Sequence, residues 1–180
     1  MRISISSGPE RLTAPVDSCY NDPMPVSKTK PVAVGDKAPD FSAADETGRT
    51  WSLKALKGKT VVLYFYPKDN TSGCTTEACD FRDHYDAFVK KGARIFGVSP
   101  DAAKSHAGFK AKHGLPFPLL VDEDKTLCRA YGVWQEKTLY GRKFMGVVRS
   151  TFVIGPTGRV VQAERKVSVA GHAEAILEAV

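Results

Sequence analysis

Two cysteines that lie five residues apart, Cys74 and Cys79, are the side chains of this 180-residue chain best suited to chemistry. Cys74 follows Gly73 in a polar loop that is predicted to become a helix. The first backbone N–H groups of a helix lack partners and carry partial positive charge. A thiol at that position is stabilised as the thiolate, which is the nucleophilic form. Gly73 lets the backbone come close to whatever Cys74 attacks, and Thr71 can present a hydroxyl to the same point.

The spacing of the two thiols restricts how they could join. On a straight helix a five-residue step gives about 7.5 Å of rise and roughly 140° of rotation, which leaves the Cα atoms about 8 to 9 Å apart. A disulfide needs Cα atoms about 4.4 to 6.8 Å apart. A bond between Cys74 and Cys79 therefore requires the first turn or two to unwind. The pair is predicted to be a redox switch rather than a structural cross-link.

The remaining cysteines and the histidines give little sign of function. Four cysteines in 180 residues are too few for a secreted scaffold held by disulfides. The Cys-x4-Cys spacing, without a nearby Cys or His pair, is a poor zinc site, and Cys128 has the surroundings of a buried, inert thiol. The histidines are scattered over predicted helices without ligand spacing, and we expect most of them to be solvated, so no metal site is predicted. They are His84, His106, His113 and His172.

Composition and charge exclude several classes of protein. A chain that is 42% hydrophobic and 26% charged is globular. Its net charge of +6 is spread along the sequence without a basic block, which argues against nucleic-acid binding. The longest apolar run, residues 61–66, is far shorter than the roughly 20 residues of a membrane span. The first thirty residues lack the apolar core of a signal peptide, so we expect a cytoplasmic protein with no membrane partner.

The order of predicted elements indicates an α/β fold. Residues 1–31 are rich in proline, contain Cys19 and are predicted to be a flexible N-terminal tail, so the domain is residues 32–180. In this domain strands alternate with helices, and a hairpin and a final helix follow. The predicted strands are 60–66, 94–99, 119–121, 149–154 and 159–162, and the predicted helices are 74–91, 101–113, 125–131 and 171–180. This order predicts a thioredoxin-like three-layer domain with a mixed central sheet and an N-terminal extension.

The segment around Cys74 resembles the active-site segment of peroxiredoxins. The pattern Pro67-x3-Thr71-x2-Cys74 is intact, and the Cys-x4-Cys spacing is most similar to the Q-type branch, also called bacterioferritin comigratory proteins. The similarity extends over about residues 32 to 180. One departure is Ser72, where the branch often has proline.

The resemblance implies a role for each residue of the site. Cys74 would be the peroxidatic thiolate, which attacks the terminal oxygen of hydrogen peroxide or of an organic hydroperoxide. Arg149 would hold a permanent positive charge near the sulfur and the peroxide. Thr71 would donate a hydrogen bond to the sulfur and orient the peroxide. Pro67 would shield the site from solvent, and Gly73 would lie beside the substrate.

The resemblance also implies a catalytic cycle. Cys79 would be the resolving thiol, and it would condense with the sulfenic acid on Cys74 to form an intramolecular disulfide. Thioredoxin, or a similar dithiol, would reduce that disulfide by exchange. No metal, haem or flavin cofactor is required. Because both cysteines lie in one helix, we expect the chain to act as a monomer.

Other interpretations stay open at this stage. A thiol–disulfide oxidoreductase acting on proteins could use the same fold and cysteine pair. A copper-delivery module could bind metal through Cys74 and Cys79, although a third soft ligand is not evident. Without the resemblance, Arg149 reads as an ordinary surface arginine at the start of a strand. Glu77 would oppose thiolate formation if its carboxylate pointed at the sulfur, and the sequence leaves its orientation undetermined.

Overall fold

The computed structural model describes residues 31–180, so the predicted tail, with Cys19, lies outside the described residues except for Pro31. The strands, in chain order, are β1 (Ser42–Ala44), β2 (Thr50–Ser52), β3 (Thr60–Phe65), β4 (Ala93–Ser99), β5 (Leu119–Val121), β6 (Trp134–Leu139), β7 (Arg142–Val147), β8 (Ser150–Ile154) and β9 (Val160–Arg165). The α-helices are α1 (Ser72–Asp83), α2 (Tyr85–Lys90), α3 (Ala103–His113), α4 (Thr126–Ala130) and α5 (His172–Glu178).

The centre of the fold is a five-stranded mixed sheet with the order β5-β4-β3-β8-β9. Strands β3, β4 and β5 are parallel, whereas β8 runs antiparallel to β3 and β9 runs antiparallel to β8. The continuous apolar run after Thr60 forms the middle strand, which is buried on both faces, as such runs in central strands are. The predicted α/β class with a mixed sheet is confirmed.

Each face of the sheet has its own hydrophobic core. Alternate β3 side chains point to opposite faces, so Leu63 and Phe65 join one core and Val62 and Tyr64 join the other. Cys128 packs into the first core and Cys74 into the second. The two buried cysteines therefore lie on opposite sides of the sheet.

The structure departs from the predicted elements mainly in three places. The helix predicted over 74–91 is two helices, because the backbone turns at His84, whose Nδ1 lies 2.9 Å from the Asp80 carbonyl oxygen. Strand β9 continues to Arg165, beyond the predicted end at residue 162. The hairpin of β6 and β7 was not predicted, since most of the side chains of β7 are exposed and the segment lacks a hydrophobic alternation.

Candidate active site

Cys74 lies in the first turn of α1, just beyond the carboxyl end of the central strand. Pro67 follows the end of the strand region and cannot continue the ladder, because it has no backbone N–H. The loop then leads to Thr71, the N-cap residue of α1. Its backbone is extended, and its backbone carbonyl oxygen accepts a hydrogen bond from the Thr75 N–H at 2.9 Å. Cys74 is the third residue of the helix and only 1% exposed.

Arg149 approaches the Cys74 sulfur from the neighbouring strand. Residue Phe65 at the end of β3 pairs with Ser150 at the start of β8, so Arg149, one residue earlier, lies at the same edge as the loop to α1. Its Nη2 donates to Cys74 Sγ at 3.2 Å, and its Nη1 forms an ion pair with Glu77 Oε2. Burial lowers the pKa of Arg149, but the charges of Glu77 and Cys74 outweigh burial and the net pKa is raised. The guanidinium is therefore a fixed cation beside the thiol.

The carboxyl group of Glu77 is buried beneath this contact. Glu77 is fully buried, and its Oε1 has no hydrogen-bond partner among the described residues. Burial raises the pKa of Glu77 to about 7, while Arg149 acts in the opposite direction. The Glu77 carboxyl group thus points at the Arg149 guanidinium. The positive charge of that guanidinium offsets the effect of a negative charge on Glu77 at the Cys74 sulfur. The sequence left this orientation open because helix position alone does not fix it.

Lys137 of β6 supplies a second cation near the site. Its Nζ donates to the Val147 carbonyl at 2.6 Å. Burial lowers the pKa of Lys137, the charge of Arg149 lowers it further, and the charge of Cys74 raises it. The Lys137 ammonium therefore interacts electrostatically with both groups. Lys137 was not among the predicted site residues because it lies on the hairpin of β6 and β7, which was not predicted.

The other predicted site residues lie around the same helix start. The Thr71 hydroxyl donates to the Lys68 carbonyl at 3.1 Å instead of to Cys74, so its hydrogen bond to the sulfur stays a prediction. A Cβ placed on Gly73 would lie 3.3 Å from Arg149 Nη2, so this glycine allows the guanidinium to come close. Pro67 is partly buried at the start of the loop.

Cys79 lies further along the same unbroken helix and is partly buried. Both cysteines are free thiols, and α1 is continuous from Ser72 to Asp83. The next residue, Asp80, ties the helix to α5, since its Oδ2 accepts the Ala173 N–H at 3.0 Å. A disulfide between Cys74 and Cys79 would therefore have to form by unwinding between the start of α1 and this anchor.

The expectation that most histidines are solvated is wrong. His106 is fully buried and His172 is 4% exposed, because both lie on helix faces that pack on the sheet and find carboxyl or hydroxyl partners there. His84 and His113 are partly buried. Within residues 31–180, no group of three or more His, Cys, Asp and Glu side chains could hold a metal ion. None of the helices described for this part of the chain is long and apolar enough to cross a membrane.

Comparisons with known proteins identify the family of this chain. The AhpC/TSA family model matches residues 34–163. Peroxiredoxin Bcp of Bacillus subtilis is 51% identical over 146 residues, which are 81% of this chain and 93% of that protein. Peroxiredoxin Bcp of Xanthomonas campestris is 50% identical over 149 residues, which are 83% of this chain and 91% of that protein.

Solved structures show the same fold. The bacterioferritin comigratory protein of Xanthomonas campestris, whose trapped intermediate and ligand complexes concern alkyl peroxide reduction, has a TM-score of 0.76 and 48% identity, over 82% of this chain and 94% of that one. A cysteine-to-serine mutant of Xylella fastidiosa PrxQ has a TM-score of 0.79 and 41% identity, over 83% of this chain and 95% of that one. This chain therefore spans nearly the full length of both.

Proposed function

Because the chain belongs to the AhpC/TSA family, in the Q-type peroxiredoxin branch, it is a peroxidase, and we propose that it reduces hydrogen peroxide and organic hydroperoxides through Cys74. The observation that carries the proposal is the 3.2 Å contact between Arg149 Nη2 and Cys74 Sγ in the first turn of α1. A fixed cation at this point stabilises the thiolate and the negative charge that develops on the departing oxygen. The alkyl peroxide activity of the Xanthomonas relative supports the organic substrates.

The first step oxidises Cys74. Its thiolate attacks the terminal oxygen of the hydroperoxide, an S–O bond forms and the O–O bond breaks. The sulfur becomes a sulfenic acid, and the remaining alkoxide or hydroxide takes a proton from solvent and leaves as alcohol or water. Thr71 would turn its hydroxyl towards the peroxide, and Pro67 and Gly73 would line the approach. These roles are supported by their positions on the loop before Cys74 and in the first turn of α1.

The second step joins the two cysteines. The Cys79 thiol attacks the sulfenic sulfur of Cys74 and releases water, after the first turns of α1 unwind. Thioredoxin or a similar dithiol then reduces the disulfide by two exchange steps and is itself oxidised. This cycle needs no metal, haem or flavin, and a single chain in the reducing cytoplasm would complete it. The proposal is supported by the presence of both thiols on one helix.

Steady-state turnover tests the role of Cys74. Cumene hydroperoxide and hydrogen peroxide would each be supplied with thioredoxin, thioredoxin reductase and NADPH, and NADPH loss would be followed. We expect Cys74→Ser to abolish turnover and Cys128→Ser, which changes the other buried thiol, to retain it. Turnover by Cys74→Ser at the wild-type rate would overturn the proposed function.

Single-turnover chemistry tests the role of Cys79. We expect Cys79→Ser to consume one equivalent of peroxide and to stop with a sulfenic acid that reacts with dimedone. Normal cycling of Cys79→Ser with thioredoxin would show that another thiol resolves the sulfenic acid, while leaving the assignment of Cys74 intact.

A further inference from the structure

A cluster of buried polar side chains holds the loop that precedes Cys74. At its centre is Asp69, which is 4% exposed. The Tyr66 hydroxyl donates to Asp69 Oδ1 at 2.8 Å, and the Ser105 hydroxyl donates to Oδ2 at 2.7 Å. Nδ1 of His106 lies 2.9 Å from the same Oδ2. Asp69 therefore connects the loop to the first turns of α3.

His106 is fully buried between two acceptors. Its Nδ1 faces the Asp69 carboxylate, and its Nε2 lies 3.3 Å from the Leu120 carbonyl oxygen. His106 and Asp69 are therefore two buried polar side chains within hydrogen-bonding distance of each other. Removing either partner would leave the other buried without compensation.

The loop is also held through its backbone. The Asp69 N–H donates to Asp101 Oδ2 at 2.8 Å, and the same oxygen accepts the Ser99 hydroxyl at 2.6 Å. The next residue, Asn70, has a φ of 57°, in the left-handed region that asparagine adopts more readily than most non-glycine residues. The contacts of Asp69 therefore hold the residue directly before this turn.

We propose that His106 is a positioning residue for peroxide reduction, which acts through Asp69 to fix the loop from Pro67 to Thr71 and thereby the start of α1 at Cys74. This inference rests on the proposed function of Cys74 and goes beyond it, because His106 touches neither the sulfur nor the peroxide. The loop contains two of the groups expected around the peroxide, whereas Arg149 is held separately by β8. Loosening the loop should therefore impair attack on peroxide more than it impairs the thiolate.

The test separates these two properties of Cys74. The rate constant for oxidation by hydrogen peroxide and the rate constant for alkylation by iodoacetamide would be measured for His106→Gln, Asp69→Asn and the double variant. We expect each single variant to lose about tenfold or more in peroxide oxidation, as small displacements of reacting groups do, with alkylation changed less than about threefold. Because the two residues act as one unit, the double variant should be no slower than the slower single variant. His113→Gln, on the same helix, is the matched control.

Several outcomes would overturn the inference. These are a folded His106→Gln that reacts with peroxide within about twofold of wild type, an equal loss in alkylation, or losses that multiply in the double variant. If His106→Gln fails to fold, Ser105→Ala tests the proposal instead, since it removes a single donor to Asp69. We expect its rate constant for peroxide oxidation to fall by about threefold. An unchanged rate constant would contradict the proposal. A wild-type chain that reacts with peroxide no faster than free cysteine would instead refute the proposed function itself.

Discussion

Cys74 and Cys128 occupy equivalent positions in their helices, yet their electrostatic surroundings are opposite. Each is the third residue of its helix, α1 and α4, and each is at most 1% exposed. Cys74 has the Arg149 guanidinium at 3.2 Å. Cys128 has the Asp122 carboxylate, which accepts its backbone N–H at 2.8 Å. Burial and then the charge of Asp122 raise the pKa of the Cys128 thiol far above its usual range.

The comparison shows that a helix start does not by itself activate a thiol. Asp122 occupies the free N–H groups of α4, because it accepts from both Leu127 and Cys128. Those groups are the ones that would otherwise stabilise a thiolate. Near Cys74 a buried carboxyl group is present as well, that of Glu77, but Arg149 pairs with it. The sign of the nearest charge therefore distinguishes the thiol that we propose to be reactive from the one that we expect to be inert.

The largest effect is expected from removing the cation beside Cys74. Arg149→Met keeps an apolar stem and should lower the rate constant for peroxide oxidation by about 10²–10³-fold, the usual cost of losing one donor to a developing oxyanion. Stopped-flow fluorescence measures it, with the exposed Arg94→Met as control. Combining Arg149→Met with Glu77→Gln avoids leaving a buried charge without its partner. A loss of less than about threefold in this rate constant would show that Arg149 is not needed for peroxide oxidation.

The second effect concerns the acid that the cation pairs with. Since burial raises the pKa of Glu77 from 4.5 to about 7, the folded state favours its protonated form. Its contribution to stability is therefore complete below pH 4.5 and is lost as the pH rises through about 7. Between roughly pH 5 and 8 the free energy of unfolding of wild type should fall by about 2 kcal/mol more than that of Glu77→Gln. Urea unfolding at a series of pH values measures this, with the exposed Asp83→Asn variant as control. The same pH dependence of the free energy of unfolding in wild type and Glu77→Gln would contradict it.

A smaller effect is expected at the inert thiol. Asp122→Asn removes the negative charge beside Cys128 and keeps an acceptor for the helix N–H groups. The pKa of Cys128 should fall, and its alkylation should accelerate by about tenfold, the equivalent of one pKa unit. It should stay slower than that of Cys74, since burial is unchanged. Peptide mass spectrometry measures both, with Glu123→Gln as control, and an unchanged Cys128 would show that burial alone makes it inert.

The smallest effect tests how closely the cation must fit. Gly73→Ala places a Cβ 3.3 Å from Arg149 Nη2, which must move by a few tenths of an ångström. We expect peroxide oxidation to slow by about two- to fivefold. Gly108→Ala in α3, where a Cβ meets nothing within 4 Å, is the matched control. Equal rates of peroxide oxidation in both variants would mean that small displacements of the Arg149 guanidinium do not affect the reaction.

The site residues that are neighbours in the sequence could be predicted, whereas most of those that the fold brings together from distant segments could not. Cys74 and its loop could be found because they are contiguous and lie at a recognisable helix start. Arg149 came only from the family resemblance, because the antiparallel pairing of β3 with β8 is what brings it to the sulfur. Lys137 was missed because the hairpin that carries it is largely exposed and was not predicted. His106 was misjudged because a buried polar contact between side chains of two separate segments leaves no periodic signal in either one.

The most direct test of the central claim is mass mapping after one equivalent of hydrogen peroxide, with the remaining thiols alkylated after denaturation. We expect Cys74 to be joined to Cys79 and Cys128 to be recovered as an alkylated, unoxidised thiol. Recovery of an oxidised Cys128 together with an unoxidised Cys74 would contradict it, because burial beside a carboxylate would then have failed to protect one thiol and the guanidinium would have failed to activate the other.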